Sequence, residues 1–316
     1  MKQEFRINSF DDFIGQNKIT STLKIMISSA REQKRIIDHL LFYGPPGLGK
    51  TSLAKIISKE VGANIVYVQG PLIEKKSDIL TIFSSIQEND IIFIDEIHSI
   101  NKNVEELLYS AMEDKVLDVT IGPEGDKRIM RLKLKNFSLI GATTKFNLLS
   151  KPLKDRFGYI GKLQAYSNEE IEKVIVNSAV RNLIKIDEKA IEKIASCSRQ
   201  TPRIANNLLK RVNDFCIFKK EKIITEKIVK NAFDYLEIYP LGLYNTQIQY
   251  LLTLHTVFVD KFASIDAISS ITKDDRYSIM NEIEPLLLIN KLIEKSPRGR
   301  KITSDGLKYL ATVHLI

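Results

Sequence analysis

The sequence predicts a three-part chain: an α/β domain with a parallel sheet between helices, a small all-helical domain, and a winged helix at the C-terminal end. Three observations carry that reading. Up to about Lys162, apolar runs of strand length alternate with segments of helical period, the pattern of a parallel sheet. From Tyr166 the periodicity is helical only. Beyond Tyr239-Pro240-Leu241-Gly242, which reads as a linker, come three short helical patterns, the third broken by Pro285. They lead into Leu292-Ile293 and a basic strand–turn–strand, Glu294 to Thr303. The predicted boundaries are 1–162, 163–238 and 239–316.

The α/β part is organised around Gly44-Pro45-Pro46-Gly47-Leu48-Gly49-Lys50-Thr51. This string lies between the apolar run Leu40-Leu41-Phe42-Tyr43 and a helical segment through Leu53, Ile56, Ile57 and Val61. Glycine, four residues, then Gly-Lys-Thr is the phosphate-loop spacing, and strand before with helix after is its required setting. Glycines let successive backbone N–H groups turn toward phosphate oxygens, and the following helix adds its positive end. Lys50 reaches the β- and γ-phosphates, and the Thr51 hydroxyl can ligate Mg²⁺. The plainer alternative is a Gly/Pro turn joining a strand to a helix.

Upstream, Phe10 to Gln16 could fold back over the adenine, although on residue type its aromatics are more simply core. Downstream, Gly62 is placed to cap the helix, Asn64 to Val68 is a strand, and a helix runs through Ile79, Ile82, Phe83 and Ile86. Ile91-Ile92-Phe93-Ile94-Asp95-Glu96 suits a central strand covered on both faces, with two carboxylates at the end that faces the ligand crevice. There Asp95 would hold the Mg²⁺ shell and Glu96 would polarise the attacking water. A helix from Val104 to Met112 precedes a β-hairpin across residues 117–134, turning at Gly122 to Asp126 and projecting from the domain. Phe137 to Ile140 leads into Thr143-Thr144, where a hydroxyl could sense the γ-phosphate. Arg156, before Phe157, reads on its own as a surface cation. In the helical part, Ser167 with Glu170 makes a capping box, Asp187 opens a helix, and Thr201-Pro202 puts Arg203 in a first helical turn. A fourth helix starts after Thr225.

The net charge of +8 suits a polyanionic partner, with the proviso that lysine is the chain's default cation. Cys197 and Cys216 lack metal-ligand spacing and read as reduced, buried thiols. No apolar stretch is long enough to cross a bilayer, and no signal peptide is legible, so the expected location is the cytoplasm. The basic turn Pro297-Arg298-Gly299-Arg300 is either a DNA-contacting wing or a solvated loop.

Taken together these strings resemble the RuvB family of AAA+ P-loop ATPases, which drive branch migration of Holliday junctions. The resemblance spans essentially the whole chain. It rests on Phe13-Ile14-Gly15-Gln16, Gly44 to Thr51, Phe93 to His98, Ala111 to Asp114, Leu139 to Thr144, Asp155 to Gly158, Thr201 to Asn206, and Pro297 to Arg300. It implies an AAA+ ATPase domain, a helical lid and a winged-helix domain, with ATP and Mg²⁺ as ligands. By resemblance Thr144 is sensor one, Arg203 is sensor two, and Arg156 is an arginine finger acting on a neighbouring subunit's ATP. Gly47, Leu48, Gly49, Lys50, Thr51 and Ser52 would line the phosphates. Arg6, Ile14 and Tyr166 would surround base and ribose. The 117–134 hairpin would dock RuvA; Lys295, Arg298 and Arg300 would face DNA; the assembly would be a homohexamer that could also meet RuvC. The chain departs from the family pattern at Ile7, Gln200 and Lys295; Gln200 would be strained if the backbone there needs a positive φ. The runner-up is an AAA+ ATPase of another kind, such as a clamp-loader or replication-initiator subunit. A third reading, a DNA-binding scaffold with a relict site, is disfavoured by the intact Lys50, Asp95, Glu96 and Arg203.

Overall fold

Five strands form one parallel sheet in a computed structural model that describes residues 7, 9–121, 128–259 and 261–316. In chain order the strands are β1 (Leu40–Tyr43), β2 (Ile65–Gln69), β3 (Asp90–Asp95), the hairpin strands β4 (Val116–Ile121) and β5 (Arg128–Lys133), β6 (Phe137–Thr143) and β7 (Tyr159–Lys162). The sheet order is β2-β3-β6-β1-β7. The helices of this part are α1 (Asn17–Glu32), α2 (Lys50–Val61), α3 (Lys76–Ser85), α4 (Lys102–Glu113) and α5 (Lys151–Asp155). β6 is buried along its length and β3 up to its half-buried last residue, Asp95, as strands covered on both faces must be. On one face, Ile92, Ile94, Phe137 and Leu139 pack against Ile79 and Phe83 of α3 and Val104 and Leu108 of α4. Gly62 ends α2 with φ 69, the left-handed cap that glycine adopts without steric cost.

The aromatics before the phosphate loop are core, as their residue type suggested: Phe10 and Phe13 are both buried. One expectation changes at this level. The β4–β5 hairpin does not merely project. Leu117 is buried in the same core as α4, with Val119 and Leu132 packed beside it, while Asp118 and Arg131 pair across the exposed face. The hairpin's turn, Gly122 to Lys127, lies outside the described residues, as does Arg6.

The chain divides into two compact units, Met1–Asn177 with Thr201–Arg203, and Ser178–Gln200 with Ile204–Ile316. Helix α6 (Asn168–Arg181) is opened by the reciprocal bonds of a capping box: Ser167 N–H donates to Glu170 Oε2 at 2.9 Å, and Glu170 N–H to Ser167 Oγ at 3.2 Å. The second unit then holds α7 (Glu188–Ser196), most of α8 (Pro202–Phe218) and α9 (Glu226–Tyr235). Asp187 caps α7 by accepting from Ala190 N–H. Both cysteines are buried and unpaired with each other.

The stretch read as a linker is an ordered joint. β8 (Ile238–Tyr239) pairs antiparallel with β9 (Leu243–Tyr244) around the turn Pro240–Gly242. Arg199 donates through Nε and Nη2 to Gly242 O, at 2.8 and 2.6 Å, and lies over the Tyr244 ring. Tyr309 donates its hydroxyl to Pro240 O at 2.8 Å. Arg199 and Gln200 both have left-handed backbones, φ 52 and 54. A side chain there costs about 1–2 kcal/mol per residue, and the fixed joint holds it in place.

Past the joint come α10 (Asn245–Thr256), α11 (Ile265–Thr272) and α12 (Arg276–Ser278). A π-helical turn (Ile279–Ile283) follows, then α13 (Glu284–Ile289), the wing strands β10 (Ile293–Ser296) and β11 (Gly299–Ile302), and α14 (Ser304–Thr312). The π-turn precedes Pro285, whose missing N–H cannot continue an α-helical ladder.

Candidate active site

The phosphate loop bends through glycines at φ 142 (Gly44), 81 (Gly47) and 107 (Gly49), conformations that side chains rarely adopt. Space is as restrictive as φ. A Cβ on Gly49 would meet the Phe13 ring at 2.9 Å, and one on Gly47 would meet Thr201 Cγ2 at 2.8 Å and Arg203 Cβ at 3.0 Å. The loop therefore has Phe13 on one side and the first turn of α8 on another, within one compact unit. Tyr166 is buried and donates its hydroxyl to Leu48 O at 3.2 Å. Ile14 is half-buried next to Gly15, whose own Cβ position is filled by the Tyr166 ring.

Lys50 is buried, and its ammonium donates to Gly44 O at 2.7 Å and Pro45 O at 2.9 Å. Burial pushes its pKa down; Glu96 and Asp95 pull it up, and Arg203 pushes it down. The same four side chains that the sequence pointed to are thus close enough to feel one another. Thr51 is exposed at the mouth of the loop and Ser52 is half-buried behind it. Among the described residues no group of three or more His, Cys, Asp or Glu could hold a metal ion. A hydroxyl from Thr51 and one carboxylate from Asp95 fit instead a cation that keeps water and phosphate oxygens as most of its shell, as Mg²⁺ does.

Asp95 ends β3 opposite Gln69 of β2, and its Oδ1 accepts the Glu96 N–H at 3.0 Å. Glu96 then turns out of the strand with φ 49. A Cβ on Gly70 would collide with the Glu96 carbonyl, so this crossing requires glycine. Thr144, just past β6, donates its N–H to Glu96 Oε2 at 3.2 Å and its hydroxyl to the same oxygen at 3.0 Å. Sensor-one and general-base candidates are therefore in contact. Arg203 is exposed. Arg156 is elsewhere: its guanidinium lies over the Tyr109 ring and donates to Tyr109 O, Pro152 O and Glu113 Oε2, the last at 2.8 Å. It borders a small cleft with Met112, Glu113 and Asp155.

The wing requires a correction. Arg298 is exposed on the β10–β11 turn, as expected. Arg300 is not free to face DNA. It is buried, and its Nε donates to Glu284 Oε1 at 2.6 Å. Glu284, 1% exposed, also accepts the Tyr250 hydroxyl at 2.9 Å and Lys295 Nζ at 3.2 Å. Lys295 and Arg300 are cross-strand partners, so both wing strands grip one carboxylate. Burial pushes the Glu284 pKa up, but the bonds from Arg300, Tyr250 and Lys295 hold it below its ordinary value. Sequence reading also gave no role to His98, Arg199 or Glu284.

A phosphate loop beside a carboxylate-tipped central strand, with a threonine bonded to that carboxylate, a helical lid and a winged helix, defines an AAA+ P-loop ATPase. The chain matches three family models in succession: the Holliday junction DNA helicase RuvB P-loop domain over residues 5–163, the RuvB AAA lid domain over 166–239, and the RuvB C-terminal winged helix domain over 240–311. It is 54% identical to the Holliday junction branch migration complex subunit RuvB of Mycoplasmopsis pulmonis, over 99% of both chains. The corresponding protein of Ehrlichia ruminantium is 45% identical, over 96% of this chain and 92% of its own length. The solved Thermotoga maritima RuvB Holliday junction branch migration motor superposes with a TM-score of 0.81 at 36% identity, over 97% of this chain and 98% of that one. This chain belongs to the RuvB family.

The Glu284 cluster yields a prediction. Arg300→Ala leaves a buried carboxylate with only Lys295 and Tyr250, and should destabilise the winged helix by about 3 kcal/mol, the lower end for a broken buried pair. Arg298→Ala should leave the thermal midpoint unchanged. Because the Glu284 pKa is lowered on folding, its stabilisation is present above the unfolded carboxylate value of about 4.3. It should be lost as pH falls through the folded value. Thermal melts of both variants, and of the parent at acid and neutral pH, check this.

Proposed function

We propose that this chain is an ATP-hydrolysing subunit of a ring motor that drives branch migration of Holliday junctions in recombination and DNA repair. The observation that carries the reading is an ATPase side-chain set gathered at one phosphate loop, in a chain that aligns end to end with RuvB proteins. Lys50 and the loop amides would bind the phosphates of ATP, and Glu96 would take the proton of the attacking water. Thr51 and Asp95 would hold Mg²⁺, which supplies charge neutralisation on the phosphates. Arg203, beside Gly47, would report the γ-phosphate to the lid, and Ile14 with Tyr166 would flank base and ribose, together with Arg6. The matched family ranges support division into an ATPase domain (1–162), a lid (163–238) and a winged helix (239–316).

The assembly is proposed as a homohexamer in which Arg156 serves the neighbouring subunit's ATP. Its half-exposed guanidinium, held against Tyr109 and Glu113 beside a small cleft, is placed where a neighbouring subunit's nucleotide could reach it, which supports a role in trans. The 117–134 hairpin would dock RuvA, with the exposed Met130 on its described part available for an apolar contact. RuvC would join at the junction, and the setting would be the cytoplasm; no helix among the described residues is long and apolar enough to cross a membrane. Arg298 would touch DNA phosphate, with Lys295 close behind.

Junction DNA plus RuvA should stimulate ATPase activity, whereas clamp or origin DNA should not; the reverse pattern would favour a clamp-loader or initiator. Glu96→Gln should keep nucleotide affinity while turnover falls by about two or more orders of magnitude, and Lys50→Ala should weaken binding itself. An active Glu96→Gln protein would remove Glu96 from the chemistry.

Trans arginine fingers contribute roughly 10³–10⁵ in rate. Mixing inactive Arg156→Ala and Lys50→Ala subunits should therefore restore part of the activity, since one interface type would combine an intact loop with an intact finger. Mixed rings that stay inactive at every ratio would refute the assignment.

On DNA, Arg298→Ala should lower the slope of log affinity against log salt by about one unit and leave ATPase activity without DNA unchanged. An unchanged slope would take the wing tip out of the DNA interface.

A further inference from the structure

His98 stands in the short turn Ile97–Ser99 that follows Glu96, and its side chain is 9% exposed. Its Nδ1 lies 3.1 Å from Glu96 Oε2 and 2.9 Å from Thr143 Oγ1. Thr143 is fully buried at the end of β6, and its Oγ1 already accepts the Lys145 N–H at 3.0 Å. Glu96 Oε2 also takes the N–H and the hydroxyl of Thr144. Oε1, in contrast, has only a 3.3 Å approach from the same Thr144 hydroxyl, whose single hydrogen is directed to one oxygen at a time. The two carboxylate oxygens are therefore unequal. Oε2 faces three donors, and Oε1 keeps its lone pairs.

The tautomer follows from the neighbours. An Nδ1 lone pair aimed at a carboxylate oxygen 3.1 Å away would be repelled, so the carboxylate selects the ring form that carries its hydrogen on Nδ1. Thr143 Oγ1 then lies beside that hydrogen as a second acceptor, which orients the ring. Burial lowers the His98 pKa, Glu96 raises it and Lys145 lowers it, and the net lowering is consistent with a neutral donor near pH 7.

We propose that His98 is a positioning residue for ATP hydrolysis: its Nδ1–H, acting with Thr144, fixes the Glu96 carboxylate through Oε2 and so leaves Oε1 as the oxygen that accepts the proton of water. The proposal rests on the reading of Glu96 as general base. It assigns His98 no contact with the nucleotide. The backbone makes the arrangement specific, because Glu96 leaves β3 at φ 49 against Gly70 and so turns its side chain back toward the end of β6.

The test compares three variants under single-turnover and steady-state conditions. His98→Asn puts an amide nitrogen near the place of Nδ1, His98→Gln puts one near Nε2, and His98→Ala has no donor. Expected is a fall in kcat of about 10- to 100-fold for Ala and Gln, a fraction of the 10²–10⁴ a general base supplies, with KM for ATP within about threefold. His98→Asn should recover most of the rate. In a Glu96→Gln background, His98→Ala should cost nothing further, as expected for residues acting as one unit. If the parent hydrolyses ATP and His98→Ala keeps its kcat, if Asn is no better than Gln, or if the double variant is slower than Glu96→Gln alone, the proposal is wrong. If His98→Ala fails to fold, the Asn and Gln pair, matched by melting temperature, decides. A parent without ATPase activity would instead overturn the general-base reading itself.

Discussion

The register of three neighbouring parallel strands decides what this molecule can do. β3 lies between β2 and β6, with Gln69 opposite Asp95 and Ile94 opposite Gly141. Parallel strands end on the same side, so the last residues of β3 and β6 are delivered together. That is why Glu96 meets Thr144, although 48 residues separate them. The crossing is tight. Gly70 has no room for a Cβ because the Glu96 carbonyl occupies that space, and Glu96 itself accepts a left-handed backbone. Shifting β3 by one residue would reverse its faces, putting Ile94 and Ile92 on the wrong side of the sheet and the carboxylates out of reach of Thr144.

The same period-two rule governs the wing, where alternation and the charge of the turn point in opposite directions. On β11, Arg300 and Ile302 share a face, and on β10, Ile293 and Lys295 do. Ile293 and Ile302 are buried partners, so the alternation turns Lys295 and Arg300 toward the domain as well. An arginine there needs an acid beneath it. Glu284 is that acid, and the Tyr250 hydroxyl meets one of its oxygens. Local pattern could not reveal it, because Glu284 follows a π-helical turn that shifts the helical phase, next to a proline read only as a breaker. Arg298, at the turn, lacks a strand neighbour to draw it inward and stays exposed.

What was legible depended on whether the chemistry is written in consecutive residues. The phosphate loop, the apolar β3, the capping box at Ser167 and the Asp187 cap are local, and each forms where its spelling indicates. The β4–β5 hairpin was also legible as alternation, but not its base packing, because Leu117 joins a core that α4 just before it and the sheet strand β6 after it complete only once folded. His98 stood in plain view after Asp95-Glu96 without a role. Its partner Thr143 is on another strand, and only the sheet register joins them. Gln200, where the chain departs from the family pattern, does have the positive φ that would strain it, and the backbone is left-handed at Arg199 too.

That pair of strained residues explains why the stretch read as a linker cannot be slack. Arg199 uses two nitrogens on one carbonyl, Gly242 O, and stacks on Tyr244 of the next strand. A Cβ at Gly242 would collide with Cys197 O, so the turn is packed against the end of α7 as closely as backbone allows. Tyr309, from the last helix, holds Pro240 from the winged-helix side. These contacts place α7, the joint and the winged helix in one compact unit. Arg203 is four residues beyond Arg199 and belongs to the unit of the phosphate loop. The chain between them is short, opens with two left-handed residues and meets the fixed φ of Pro202. The order of the joint thus rests on one guanidinium held by one carbonyl, with Tyr309 closing it from the last helix.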